Sequence, residues 1–133
     1  MAEANQSIGL VDTDILIDAA RGVQDAKVFL IAQRASGGIH VSVVSAMELM
    51  AGCRDSAALT QTRRFLAQVS EVPLTPAGAW IARQLVERYF LSHGMLIPDA
   101  LIVATALERG LTLFTRNVRH FRMVPHLNVE APY

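Results

Sequence analysis

The chain has 133 residues, 12 basic and 12 acidic side chains, and an apolar share of 52%. That length fits one domain, expected to run from residue 1 to residue 133. The apolar share excludes a disordered tail, and the zero net charge excludes nucleic-acid binding by bulk positive charge. The single cysteine, Cys53, excludes an internal disulfide framework and a cysteine-based zinc site, and points to the cytoplasm. Met1 to Ser7 is polar and lacks the basic stretch that opens a secretory signal. The most apolar run, Met95 to Leu107, is 13 residues long and contains Pro98 and Asp99. A membrane span needs ~20 apolar residues, so this run reads as a core element and no membrane association is expected.

In chain order, Ile8 to Val11 is an apolar run that stops at Asp12 and reads as a buried strand. Thr13 to Ala20 has helical spacing of Ile15, Leu16 and Ala19, and Gln24 to Ala35 repeats it before the breaker Ser36-Gly37-Gly38. Ile39 to Val44 is β-branched and predicts a second strand. Ser45 is placed to cap the next helix, with Glu48 three residues on as its capping-box partner. Ser56 to Val69 predicts a helix and Glu71 to Leu74 a short strand. Thr75-Pro76 starts a helix that runs to about Ser92, and Pro98 starts another that Gly110 closes. Leu111 to Phe114 reads as a strand, Val118 to Phe121 as a helical turn, and Asn128 to Glu130 as a last strand. Strands alternating with helices predict an α/β domain with a mainly parallel sheet. In such sheets ligands sit beyond the carboxyl ends of the strands.

Against that layout, three of the twelve acids stand out. Asp12 ends the first strand, where it serves either as a helix cap or as a ligand. Glu48 is the only acid between Arg34 and Arg54. Asp99 is the only acid between Arg88 and Glu108, with apolar residues crowding the segment after it and no basic residue nearby in sequence as a partner. A buried carboxylate has to be paired, protonated or bound to a cation, although the dipole of a helix N-terminus also favours one there. Asp14 lies beside the same strand end, whereas Asp18 reads as solvated or paired along its helix. Thr115-Arg116-Asn117 follows the third strand, in residue types that suit either a ligand contact or an ordinary turn. His120 and His126 lack a metal-ligand spacing with each other. In a parallel sheet Asp12, Glu48, Asp99 and Asn117 can meet on one edge. Hard oxygen donors of this kind suit Mg²⁺ or Mn²⁺ rather than zinc.

Four segments together resemble the PIN-domain ribonucleases, and most closely the VapC toxins of toxin–antitoxin pairs. They are Val11-Asp-Thr-Asp-Ile-Leu-Ile-Asp18, Ser45-Ala-Met-Glu48, Ile97-Pro-Asp-Ala-Leu-Ile-Val-Ala-Thr-Ala106 and Thr115-Arg-Asn-Val-Arg-His-Phe121, in the family's order. The resemblance implies a three-layer α/β/α sandwich. It implies an acidic triad of Asp12, Glu48 and Asp99 for Mg²⁺ or Mn²⁺, with Asn117 where a fourth acid often stands. Asparagine there removes one negative charge from a second-metal position. Asp14, Ser45 and Thr115 would support the ligands, and Arg116 and Arg119 would contact phosphate. His120 would be peripheral.

The implied activity is metal-dependent endonucleolytic hydrolysis of RNA that inhibits translation and growth. The implied partners are the RNA substrate and a VapB-type antitoxin, in a homodimer or in a heterotetramer or hetero-octamer with that antitoxin. The helices at 44–53 and 56–69, carrying Met47, Met50 and Leu59, are candidates for the antitoxin groove. A catalytically inactive PIN-like binding module is the alternative. Asp12-Thr13-Asp14 also looks like the motif of haloacid-dehalogenase-type phosphatases, but that chemistry needs a lysine at the phosphate. The one lysine here, Lys27, falls in a predicted helix. The basic side is otherwise arginine, and Arg116, Arg119 and Arg122 cluster beside the proposed site. Arginine suits bidentate phosphate contacts.

Overall fold

A computed structural model describes residues 8–133; Met1 to Ser7, read above as a polar segment without a signal, lies outside the described residues. The elements are β1 (Gly9–Val11), α1 (Thr13–Ala20), α2 (Gln24–Ser36), β2 (His40–Ser42), α3 (Val43–Ala51), α4 (Ser56–Leu66), β3 (Ser70–Val72), α5 (Pro76–His93), α6 (Ile97–Arg109), β4 (Thr112–Phe114), α7 (Val118–Phe121) and β5 (Val129–Glu130). The strands form one sheet in the order β3-β2-β1-β4-β5, and every neighbouring pair is parallel. Short strands suffice because β1 and β4 are buried on both faces.

Period-two alternation sends adjacent residues to opposite faces and so builds two cores. Leu10 and Leu113 pack with Tyr89, Met95, Ile102 and Val103, on the side of α5 and α6. Val11 and Phe114 pack with Ile15, Leu30, Val41 and Leu66, on the side of α1, α2 and α4. This gives the three-layer α/β/α sandwich. Among the described residues no helix is long and apolar enough to cross a membrane.

The chain leaves β1 toward β2 on one side, and β4 lies on its other side. The strand order therefore reverses between β1 and β4, the place where open α/β sheets hold their ligands. Asp12 and Thr115 are the first residues past those two strands.

Several predicted boundaries move. Val43 and Val44 were expected to extend the second strand, but the strand ends at Ser42, which caps α3 by accepting from the Val44 N–H at 3.0 Å. Ser45 is therefore the third residue of the helix and not its cap, so Glu48 has no capping-box role. Both side chains are freed to face α1. The helix from Ser56 stops at Leu66 rather than Val69, and β3 starts at Ser70, whose N–H reaches the Ile39 carbonyl at 2.8 Å. Edge pairing with β2, not the apolar pattern through Leu74, sets that strand. Elsewhere the reading holds: Thr75 caps α5, and Gly110 closes α6 in the left-handed region at φ 64°. Asp55 caps α4, a role the sequence reading did not assign.

Gly9 carries a second constraint, because β1 passes beneath the Phe114 ring. A Cβ there would lie 2.1 Å from Phe114 Cε2 and 2.9 Å from the Thr112 carbonyl oxygen. Phe114 is held on its other side by an edge-on contact with Phe29 at 5.0 Å between ring centroids. Gly9→Ala is expected to lower unfolding free energy by about 2–3 kcal/mol in a denaturant titration. An unchanged midpoint would show that the ring yields.

Candidate active site

Asp12 leaves β1 in extended conformation and starts α1 as its N-cap. Its Oδ1 accepts from the Thr13 N–H at 2.8 Å, and its Oδ2 accepts from the Thr115 hydroxyl at 2.9 Å. The residue is 7% exposed. Burial, and then the neighbouring Asp14 charge, push its pKa up to about 7 against the lowering effect of those two hydrogen bonds; Asp99 adds a smaller push upward. Asp14, in the first turn of α1, is also held above the ordinary carboxylate range, chiefly by burial. Its Oδ2 accepts from the Arg116 N–H at 3.0 Å and faces the Thr115 hydroxyl at 3.2 Å, while its Oδ1 is buried without a hydrogen-bond partner. Thr115 is fully buried and has one proton for two carboxylates. Its oxygen also accepts from the Asn117 N–H at 3.0 Å, which fixes the turn after β4.

On the β2 side, Thr13 repeats the arrangement. Its hydroxyl stands 2.6 Å from Glu48 Oε1 and 2.8 Å from Ser45 Oγ. It also has one proton, so at any moment it donates to one of the two. This contact ties α3 to the start of α1 and holds an exposed glutamate at the rim.

Asp99 sits in the first turn of α6, where the helix dipole favours it. The sequence offered it no basic partner nearby, but the fold supplies one: His120 Nε2 lies 3.2 Å from Asp99 Oδ2. His120 is thus set beside one of the proposed ligands. Together with His93, Asn117 and Arg119 it lines a cleft of about 210 Å³. Asn117 and Arg119 are exposed there, and among the described residues no hydrogen bond joins the Asn117 side chain to the acids. Arg116 is turned the other way, over the Tyr133 ring.

A family model described as PIN domain matches residues 9–127. The chain belongs to the PIN-domain family. It is 40% identical over 119 residues to Ribonuclease VapC10 of Mycobacterium tuberculosis, covering 89% of each chain. It is 39% identical over 127 residues to Ribonuclease VapC19 of the same organism, covering 93% of this chain and 98% of that one. A solved toxin–antitoxin complex from Klebsiella pneumoniae contains a chain 31% identical to this one, with a TM-score of 0.76, over 95% of this chain and 98% of that one. The resemblance to VapC proteins and the expected fold are therefore borne out.

In this PIN domain, sequence reasoning did not single out Thr13 and found no partner for His120. Thr13 stood between two aspartates at a helix start, where a β-branched hydroxyl at the strand-end apex was the available signal. The Asp99–His120 contact joins two segments far apart in the chain and left no local trace. Lys27, required by a phosphatase reading, is exposed on α2 and lines a groove with Ile31 and Arg34 to which none of these acids contributes.

The raised pKa of Asp12 fixes a pH dependence. Unfolded, the group titrates near its ordinary value of 3.8; folded, it titrates at about 7. The native state thus holds the extra proton between those values. The contribution of Asp12 to metal-free stability is level below about pH 4, falls as pH climbs to about 7, and is level above that. The expected loss is on the order of 2–4 kcal/mol. Asp12→Asn keeps an oxygen to cap α1 and should flatten this slope. It should also raise the chelator-treated melting temperature at pH 7.5 by roughly 5 °C. A slope unchanged by the substitution would assign the pH dependence elsewhere.

Proposed function

We propose that this PIN domain is a Mg²⁺- or Mn²⁺-dependent endoribonuclease, the toxin of a toxin–antitoxin pair, whose RNA cleavage inhibits translation and growth in the cytoplasm. The observation that carries the reading is the buried Asp12 carboxylate at the strand-order reversal. It is crowded by Asp14 and Asp99 and lies beside an Asp14 oxygen with no partner. Such a site is short of positive charge, and its donors are oxygens, which suits a hard divalent cation. Among the described residues no three His, Cys, Asp or Glu side chains are drawn together tightly enough to hold an ion unaided. A bound Mg²⁺ would therefore complete its shell with water and substrate phosphate around one or two of these carboxylates.

Asp12 and Asp99 would hold the cation, with Glu48 acting from the rim and Asn117 lying at a second-metal position. When bound, the ion polarises a phosphodiester and makes its water more acidic. The chain's own residues prepare the ground. Thr115 fixes Asp12 and Asp14 against each other, and Thr13, itself beside Ser45, fixes Glu48. His120 holds the Asp99 carboxylate in place. The exposed Arg119, in the cleft beside that pair, is positioned to meet a backbone phosphate.

The ribonuclease names of the two mycobacterial relatives support the activity, and the Klebsiella complex supports an antitoxin partner. A VapB-type antitoxin would lie in the apolar groove of about 450 Å³ between α1, α3 and α4, lined by Leu16, Leu49 and Phe65. The assembly would be a homodimer when free, and a heterotetramer or hetero-octamer with antitoxin.

Purified protein should cut RNA with Mg²⁺ and stop when the ion is chelated. Asp12→Asn and Asp99→Asn should each lower the rate by about 100-fold or more. Thr13→Val should cost about 10- to 100-fold, as the loss of a ligand-orienting group does, whereas Thr13→Ser should stay near native. Cleavage that survives both chelation and Asp99→Asn would reject the metal mechanism. RNA binding without turnover would favour an inactive binding module, and turnover of phosphate monoesters in place of RNA would favour a phosphatase.

A further inference from the structure

Arg116 is exposed and stands one residue past the buried Thr115, yet among the described residues it forms no ion pair. That needs a reason, because acids stand close by. Its own backbone N–H is bonded to Asp14, and Asp18 lies one turn further along α1. A mobile arginine there would be expected to fold down onto one of these carboxylates. Instead its guanidinium carbon lies 4.4 Å from the centre of the Tyr133 ring. The Tyr133 hydroxyl in turn donates to Asp18 Oδ2 at 2.8 Å, which fixes the ring and occupies that carboxylate. Burial, and then the Asp18 carboxylate, hold the Tyr133 phenol above its ordinary pKa, so it stays a neutral donor at physiological pH.

We infer that Tyr133 is a positioning residue: its ring face carries the Arg116 guanidinium and so keeps it off the acids and available to an RNA phosphate. A stacked guanidinium keeps its N–H edges free, because the ring takes only its face. The platform thus presents a preformed anion contact on the Asp14 side of the site, opposite the Arg119 cleft. Two arginines would then flank the acids, one on each side of Thr115. RNA would be held across the acidic centre by its backbone, which requires no net positive charge on the protein. The inference rests on the ribonuclease reading and adds to it a specific residue for substrate hold.

The test is a double-substitution cycle read by fluorescence anisotropy of a labelled single-stranded RNA of mixed sequence, with Ca²⁺ in place of Mg²⁺. Arg116→Ala should weaken binding about tenfold and lower the salt dependence by about one phosphate contact. Tyr133→Leu should weaken it about fivefold, while Tyr133→Phe and Tyr133→Trp, which keep an aromatic face, should stay within about twofold of native. Tyr133→Leu combined with Arg116→Ala should bind no worse than Arg116→Ala alone, within about twofold. In cleavage, Tyr133→Leu should raise KM and leave kcat near native. Additive losses, a Tyr133→Phe variant as weak as Tyr133→Leu, or a change confined to kcat would overturn the assignment. Native protein that binds no RNA would overturn the ribonuclease reading itself; RNA binding with an additive cycle would overturn only the role of Tyr133.

Discussion

The organising constraint is a carboxylate buried at the end of the central strand. Asp12 cannot move, because β1 is hydrogen-bonded between two neighbours and its own N–H bonds the Phe114 carbonyl at 2.8 Å. It cannot reach water freely either, being nearly buried. Taking a carboxylate out of water costs several kcal/mol unless positive charge or donors compensate. Here one backbone N–H and one shared hydroxyl are offered, while Asp14 and Asp99 add repulsion. In the metal-free domain a proton meets that deficit up to a pH near 7, and the proposed cation would meet it above that. That is the physical content of a pKa near 7 for an aspartate.

Around that carboxylate the site is organised by hydroxyls rather than by salt bridges. Thr115 and Thr13 each place a single proton between two oxygen acceptors. Such contacts hold the acids in place without neutralising them, which leaves their charge to the proposed cation. A basic residue in either position would fill the site. His120 engages Asp99 from the cleft side and not Asp12. Gly9 belongs to the same arrangement at one remove: it lets β1 lie close under Phe114, and that fixes where Asp12 and Thr115 stand relative to each other.

Much of this was legible in the sequence because it is local. An apolar run that ends at Asp12, and another that ends before Thr115, mark strand ends directly, and alternation with helices implies that the ends share an edge. The start of α3 was less legible, since Val43 and Val44 favour a strand by propensity while the tertiary setting makes them the first helical turn capped by Ser42. That error concealed why Ser45 and Glu48 face Thr13. The Asp99–His120 and Tyr133–Asp18 contacts were not legible at all, for they join segments that only the folded sheet brings together.

The balance of 12 acids and 12 bases thus conceals a separation of charge: Asp12 and Asp14 stand at the end of β1, and the proposed RNA contacts Arg116 and Arg119 follow β4. The central claim is that Asp12 exchanges its proton for a divalent cation, since a ligand must be deprotonated to bind. Calorimetric titration of Mn²⁺ in buffers of different ionisation enthalpy measures that exchange directly. At pH 6 the account predicts release of close to one proton per ion bound, falling toward zero by about pH 8.5 and absent in Asp12→Asn. Binding without proton release at pH 6, or no binding at either pH, would contradict it.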